Sequence, residues 1–348
     1  MKYPETYNVM MDNFGKKNMV QNFRPLKYSV GESEAIRTTV HKLIQETART
    51  NINFWGGSAD LSSSNKTYFE DDSGFEPQNY ENKNVYYGVR EFAEASAANG
   101  ITLYGGSKNF ASTFFVFSDY MKNAIRMAAL QNIPTIFMFS HDSIALGQDG
   151  PTHQPVEHLD SLRAMPNLTL FRPADAIETQ IIWEYVVNNT EGPTVLAMSR
   201  QDLPVLSGTL KNGEDGVLKG GYILSPAKMD VKQDGIIIAT GSEVELALKV
   251  QDILRGKSQN VSVVSMPSTD LFDKQSESYK EQILPSKITQ RLSIEMGSTL
   301  SWYKYVGTEG LTIGIDHFGL SGDATEMMQK FGFNASKIAN KYLGKYIV

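Results

Sequence analysis

A chain of 348 residues, 41% hydrophobic and 21% charged, is long enough to bury two cores, which excludes a wholly disordered protein. Its net charge of −6 and pI near 5.5 exclude the broad basic surface that binds nucleic acid or an acidic membrane. With no cysteine, disulfides, thiolate catalysis and cysteine-ligated zinc are excluded as well.

Residues 1–26 carry no sustained period and are expected to form an arm or linker remnant. They lack the apolar run of a signal peptide, and no stretch approaches the roughly 20 apolar residues of a membrane span. A soluble, cytoplasmic protein is therefore expected. Ser29 and Glu32 have capping-box spacing, and Ile36, Val40, Leu43, Ile44 and Ala48 share one helical face. A strand over 53–57 follows, then a long loop over 58–84 rich in Ser, Asn, Asp and Gly. The pattern next predicts a helix over 90–99 stopped by Gly100, a strand over 101–104 and a helix over 120–130. Strands over 134–139 and 167–171, a helix over 176–187 and a strand over 194–198 complete the series. Such alternation argues a parallel sheet covered on both faces. Beyond a turn-rich stretch at 206–221, a second series places strands over 236–239, 261–264, 292–295 and 311–315, with helices over 243–254 and 324–331. The expected fold is α/β, with two doubly wound, mainly parallel domains over 27–205 and 222–348 and a linker at 206–221.

In doubly wound sheets, ligands bind beyond the carboxyl ends of the strands. Three candidate strand ends carry polar residues: 56–65 with Asp60, Ser64 and Asn65; 140–155 with His141, Asp149 and His153; and Ser199-Arg200. In a parallel sheet all three converge on one edge. Arg200, Ser64 and the early-helix Arg37 are donors suited to a sugar phosphate, since a guanidinium grips phosphate bidentately. His141 and His153 lack the helical spacing of a zinc site, so no metal ligand is expected. Glu91 falls in the first turn of its helix, where an acid complements the helix dipole. Phe114, Phe117 and Tyr120 would line one helical face, a spacing that suits either core packing or a ring-binding pocket.

Taken together, these segments resemble transketolases. The resemblance rests on Gly-Gly-Ser-Ala-Asp-Leu at 56–61 with Ser64-Asn65, Arg90-Glu91-Phe92, the aromatic run at 114–120, His141-Asp142-Ser143-Ile144, Asp149-Gly-Pro-Thr-His-Gln-Pro155, Arg172-Pro173-Ala174-Asp175 and Ser199-Arg200-Gln201. It covers about 27–348 and is densest over 54–204. It implies the family's pyrimidine-binding and C-terminal domains, and two-carbon ketol transfer between phosphosugars in the pentose phosphate pathway, with thiamine diphosphate and Mg²⁺ as cofactors. Glu91 would hydrogen-bond N1′ of the aminopyrimidine and promote its imino form; Phe114, Phe117 and Tyr120 would line the ring pocket, and Asp60 would lie near the cofactor. His141, Asp149 and His153 would bind donor hydroxyls and assist proton transfer, with Arg37, Ser64, His153 and Arg200 on the phosphate. The family's Gly-Asp-Gly motif, which holds diphosphate and metal, is not found here; Gly322-Asp323-Ala324 is the nearest string. The expectation is half an active site, needing a diphosphate-binding chain and working as a homodimer or heterotetramer. Two alternatives stay open: a catalytically silent, dimerising fragment, and a part of another thiamine enzyme such as a deoxyxylulose-phosphate synthase.

Overall fold

The computed structural model describes residues 24–189 and 191–347, together with Tyr3, Pro4, Tyr7, Asn8, Met11 and Phe14. Most of the arm expected at 1–26 falls outside the described residues. The strands in chain order are β1 (Ser33–Ala35), β2 (Phe54–Ser58), β3 (Asn84–Tyr86), β4 (Lys108–Phe114), β5 (Ile136–Ser140), β6 (Thr169–Phe171), β7 (Thr194–Met198), β8 (Asp202–Pro204), β9 (Tyr222–Ser225), β10 (Gly235–Ala239), β11 (Val261–Ser265), β12 (Gln290–Ile294) and β13 (Leu311–Ile313). One six-stranded sheet has the order β3-β2-β4-β5-β7-β6 with every pairing parallel. A five-stranded sheet runs β13-β12-β10-β11-β9, parallel except for β9 at its edge. The two series are the α/β architecture that the alternating pattern predicts.

Central strands such as β5 and β10 are buried along their whole length, because helices cover both faces. Their apolar runs, Ile136-Phe137-Met138-Phe139 and Ile236-Ile237-Ile238-Ala239, supply the cores on either side. Gly57 is demanded by packing: a Cβ there would sit 1.7 Å from the Val85 carbonyl of the neighbouring strand.

Local expectations fail where tertiary partners intervene. Ser29 and Glu32 close a turn rather than cap a helix, the Ser29 N–H donating to Glu32 Oε2 at 3.1 Å. β1 pairs with β8 directly afterwards, which delays the helix to Ile36–Thr50. Its cap comes from far along the chain, Ser199 Oγ accepting from the Ile36 N–H at 3.1 Å. The 58–84 segment is not all loop: it contains the short helix Ser62–Asn65 and leads into β3.

Gly100 does not stop its helix, which runs from Glu91 to Tyr104 and absorbs the strand expected over 101–104. Gly105 and Gly106, both at positive φ, end it, and the strand is β4. The 206–221 stretch is largely helical, with Ser207–Gly216 followed by a 3₁₀ turn at Val217–Lys219. β9 and the closing helix Ala335–Tyr346 lie where no element was expected.

The two sheets are joined through a buried ionic network. Arg172, fully buried just after β6, donates from Nε to Asp142 Oδ2 at 2.8 Å and from Nη1 to the Thr240 carbonyl at 3.0 Å. The same guanidinium pairs with Glu243 at the start of helix Glu243–Gly256. Arg163 makes a bidentate pair with Glu295, both bonds 2.7 Å. Gly147, at φ 71°, packs so closely on the second series that a Cβ would lie 2.9 Å from the Gly322 carbonyl.

Candidate active site

Because the six strands are parallel, the segments leaving β2, β4, β5 and β7 emerge on one edge. Side-chain bonds lace them together there. Asn65 Nδ2 donates to Ser58 Oγ at 2.9 Å, Ser140 Oγ donates to Asn65 Oδ1 at 2.5 Å, and Ser140 Oγ lies 2.7 Å from His141 Nδ1. With the serine proton given to Asn65, Nδ1 of His141 must be the N–H that donates to Ser140, leaving Nε2 as an acceptor. His141 is 3% exposed and sits at φ 62°, a left-handed conformation that a histidine adopts only under constraint. The constraint is its neighbour Asp142, held by Arg172.

Aromatic rings form the wall beside this histidine. Phe114 packs 3.7 Å from His141, centroid to centroid, and stacks parallel to Phe117 at 6.1 Å. Tyr120 continues the series at 6.0 Å from Phe117, and His153 meets Phe117 edge-on at 5.4 Å. These rings do not share one helical face as the spacing suggested. Phe114 ends β4, Phe117 closes a 3₁₀ turn, and Tyr120 lies in helix Ser118–Gln131 on the rim, 64% exposed.

Cationic groups gather on the other side. Arg37 Nη1 donates to the Ser64 carbonyl at 2.6 Å, while its Nε is buried without a partner. Burial, and then the nearby positive charge of Arg200, lower the proton affinity of Arg37. Burial pushes His141 down to about 3, helped by Arg37, Arg200 and His153. Two facing arginines and an unsatisfied N–H would be relieved by an anion.

Residues 32–205 match the family model of the transketolase pyrimidine-binding domain, and 220–334 that of the transketolase-like C-terminal domain. The chain belongs to the transketolase family. It is 50% identical over 315 residues to the transketolase of Streptococcus pyogenes serotype M6, covering 90% of this chain and 43% of that protein. Against the Geobacillus stearothermophilus transketolase it is 48% identical, covering 90% and 47%. The chain thus spans less than half the length of these relatives. A Pichia stipitis transketolase in complex with sedoheptulose 7-phosphate superposes with a TM-score of 0.92 at 36% identity, over 99% of this chain and 51% of that one. A split-gene transketolase solved as an inactive β4 tetramer shares the fold, with a TM-score of 0.71 at 22% identity, over 90% of this chain and 99% of that one.

The remaining candidates of the transketolase-like motifs occupy the same edge less centrally. Glu91 is buried in the first turn of the helix that follows β3. Asp60 is exposed at φ 60° just past β2, and Asp149 is exposed beside Gly150. Among the described residues, one set of metal-capable side chains comes together, Asp119, Glu157 and His158. Its histidine meets the Val116 carbonyl through Nε2 at 3.1 Å, while Nδ1 is buried without a hydrogen-bond partner. Sequence reasoning gave no role to Ser140, to Asn65 as a bridge, to Ser199 as a cap, or to Arg172, which it quoted only within a motif. Their positions at strand exits were the available signal.

His141 should remain a neutral Nδ1–H imidazole from about pH 5 to pH 8. Nitrogen-15 NMR of the ring would report this as chemical shifts that do not move over that range. A titration near the ordinary histidine value would contradict the tautomer and the burial described.

Proposed function

We propose that this chain supplies the pyrimidine-binding and sugar-phosphate-binding half of a thiamine-diphosphate-dependent ketol transferase. The reaction moves a two-carbon unit from a ketose phosphate to an aldose acceptor. One observation carries the reading: Arg37, Ser64 and Arg200 converge with His141 and His153 beside the Phe114 and Phe117 rings on a single sheet edge. The cofactor, when bound, supplies the electron sink for carbon–carbon bond cleavage.

The residues fit one part of that cofactor and not the other. A stacked pair of phenylalanines and a buried carboxyl, Glu91, suit a flat aminopyrimidine with a ring nitrogen to be hydrogen-bonded. For a diphosphate with Mg²⁺ the donor set is wrong. The Asp119, Glu157 and His158 group includes an imidazole that Mg²⁺ does not favour, and the sequence holds no Gly-Asp-Gly. That half is therefore assigned to another domain or chain.

Within this chain, Glu91 would hydrogen-bond the ring nitrogen N1′ of the pyrimidine, with Asp60 and Tyr120 at the pocket margin. His141 and His153 hold donor hydroxyls, His141 through a neutral Nε2 able to accept a proton, and Asp149 adds a hydroxyl acceptor. Arg37, Ser64, His153 and Arg200 grip the phosphate. Assembly follows from a bare apolar surface. Helices Glu91–Tyr104 and Ser118–Gln131 expose Phe92, Leu103, Tyr104, Tyr120, Met127 and Leu130, and a second copy of the chain would cover them. A homodimer, or a heterotetramer with diphosphate-binding subunits, meets this need. The inactive β4 tetramer of the split-gene relative favours a chain that is silent on its own. No helix among the described residues is long and apolar enough to cross a membrane.

The phosphate grip is tested by Arg200→Ala in an enzyme completed with a diphosphate-binding domain. KM for xylulose 5-phosphate should rise about tenfold or more, the worth of a charge-assisted bond, while an unphosphorylated ketose donor is used as before. Equal damage with both donors would argue against phosphate recognition there.

A further inference from the structure

The helix that opens with Glu91 carries a second acid one turn later. Glu94 is 0% exposed, an unusual place for a glutamate. Three elements meet at its carboxyl. Its own helix sets it at i+3 from Glu91, on the same face. β4 supplies the Ser112 N–H, which donates to Oε1 at 2.6 Å, two residues before Phe114. The exit of β2 lies beside it, the Ala59 N–H, next to Asp60, donating to the Ser112 carbonyl at 3.2 Å and adding a small favourable pull on the Glu94 carboxylate form. Oε2 is buried with no well-aligned partner.

Ionised, that oxygen would be an unsolvated anion, whereas a neutral carboxyl in the same place costs far less. Burial holds Glu94 well above the usual carboxylate range. The Ser112 donor opposes this, and the like charge of Glu91 adds to it. Tyr87, before the helix, also faces Glu94, and its phenol is pushed up to about 12, chiefly by burial. β2 and β4 present backbone to the group.

We propose that Glu94 is a positioning residue for the pyrimidine pocket: a neutral carboxyl tying the first turn of the Glu91 helix to the strand ends that deliver Asp60 and Phe114. The proposal rests on the reading of that pocket given above. Losing the proton would bury an unsolvated charge at Oε2 beside Glu91.

Glu94→Gln keeps the shape and the acceptor for Ser112 but cannot ionise. Melting of the full chain, which needs no cofactor, is the first readout. A carboxyl whose folded proton affinity lies above its unfolded one stabilises below the unfolded value of about 4.3 and loses that contribution as pH rises through the folded value. The melting temperature of Glu94→Gln minus that of the wild type should therefore grow as pH is raised above about 4.3. Parallel melting curves would overturn the neutral carboxyl.

The second readout uses the completed enzyme and the thiamine diphosphate concentration at half-maximal rate. Glu94→Ala should raise it about tenfold, the worth of roughly one hydrogen bond to a buried group, and Glu94→Gln should restore most of the loss. Saturation of Glu94→Ala at the wild-type concentration would overturn the positioning role. If the wild-type mixture proves inactive, the functional reading fails, and the melting comparison still decides whether Glu94 is neutral.

Discussion

Arg172→Met should destabilise the chain by about 3–5 kcal/mol, the range expected when one partner of a buried ion pair is removed. Asp142 and Glu243 are each about 2% exposed or less, and both rely on this guanidinium. Removing it leaves two buried carboxylates uncompensated, with the Thr240 carbonyl losing its donor as well. Arg172→Lys should recover only part of the loss, because a point charge cannot reach Asp142, Thr240 and Glu243 together. The damage should also reach the candidate site, since Asp142 precedes the loop at 143–155 and follows the strained His141. Urea unfolding gives the free energy, and the His141 ring resonances report the local effect. A loss below about 1 kcal/mol would mean that the two sheets are held by apolar packing alone, with the ionic network adding nothing.

Glu91→Gln should lower ketol transfer by the completed enzyme about 10²- to 10⁴-fold, the scale of a positioned proton-transfer group. The substitution keeps the side-chain volume in a buried first turn, so the fold should persist. Loss of rate with unchanged melting separates a chemical role from a structural one. If the rate stayed within threefold of wild type, the helix-dipole explanation of that acid would suffice.

Much of the fold was legible because buried parallel strands announce themselves. β5, β7, β10 and β11 are short apolar runs bounded by polar turns, and each lies within a few residues of its expected place. What misled was local chemistry overruled by distant partners. The Ser29 and Glu32 spacing suggested a cap, yet the cap is Ser199, some 160 residues away and invisible to periodicity. Gly100 suggested a stop, but its helix continues because nothing there needs a left-handed residue, whereas Gly105 and Gly106 adopt one.

The candidate site shows the same division. His141, His153, Arg37, Ser64 and Arg200 could be singled out as candidates because each follows a strand or opens a helix at one sheet edge. The rings at 114, 117 and 120 do assemble, though on a strand end, a tight turn and a helix, since the helical period was read across an element boundary. Glu94 escaped, and Arg172 stood in a quoted motif without a role, because burial, which makes an acid or an arginine significant, is a property of packing.

The central claim is that this chain holds one half of a thiamine-dependent active site, and the most direct test is ketol transfer from xylulose 5-phosphate to ribose 5-phosphate. The chain is assayed with thiamine diphosphate and Mg²⁺, first alone and then mixed with a transketolase diphosphate-binding domain. Transfer in the mixture and none from the chain alone is the predicted result. Transfer by the chain alone, or none in either sample, would contradict it.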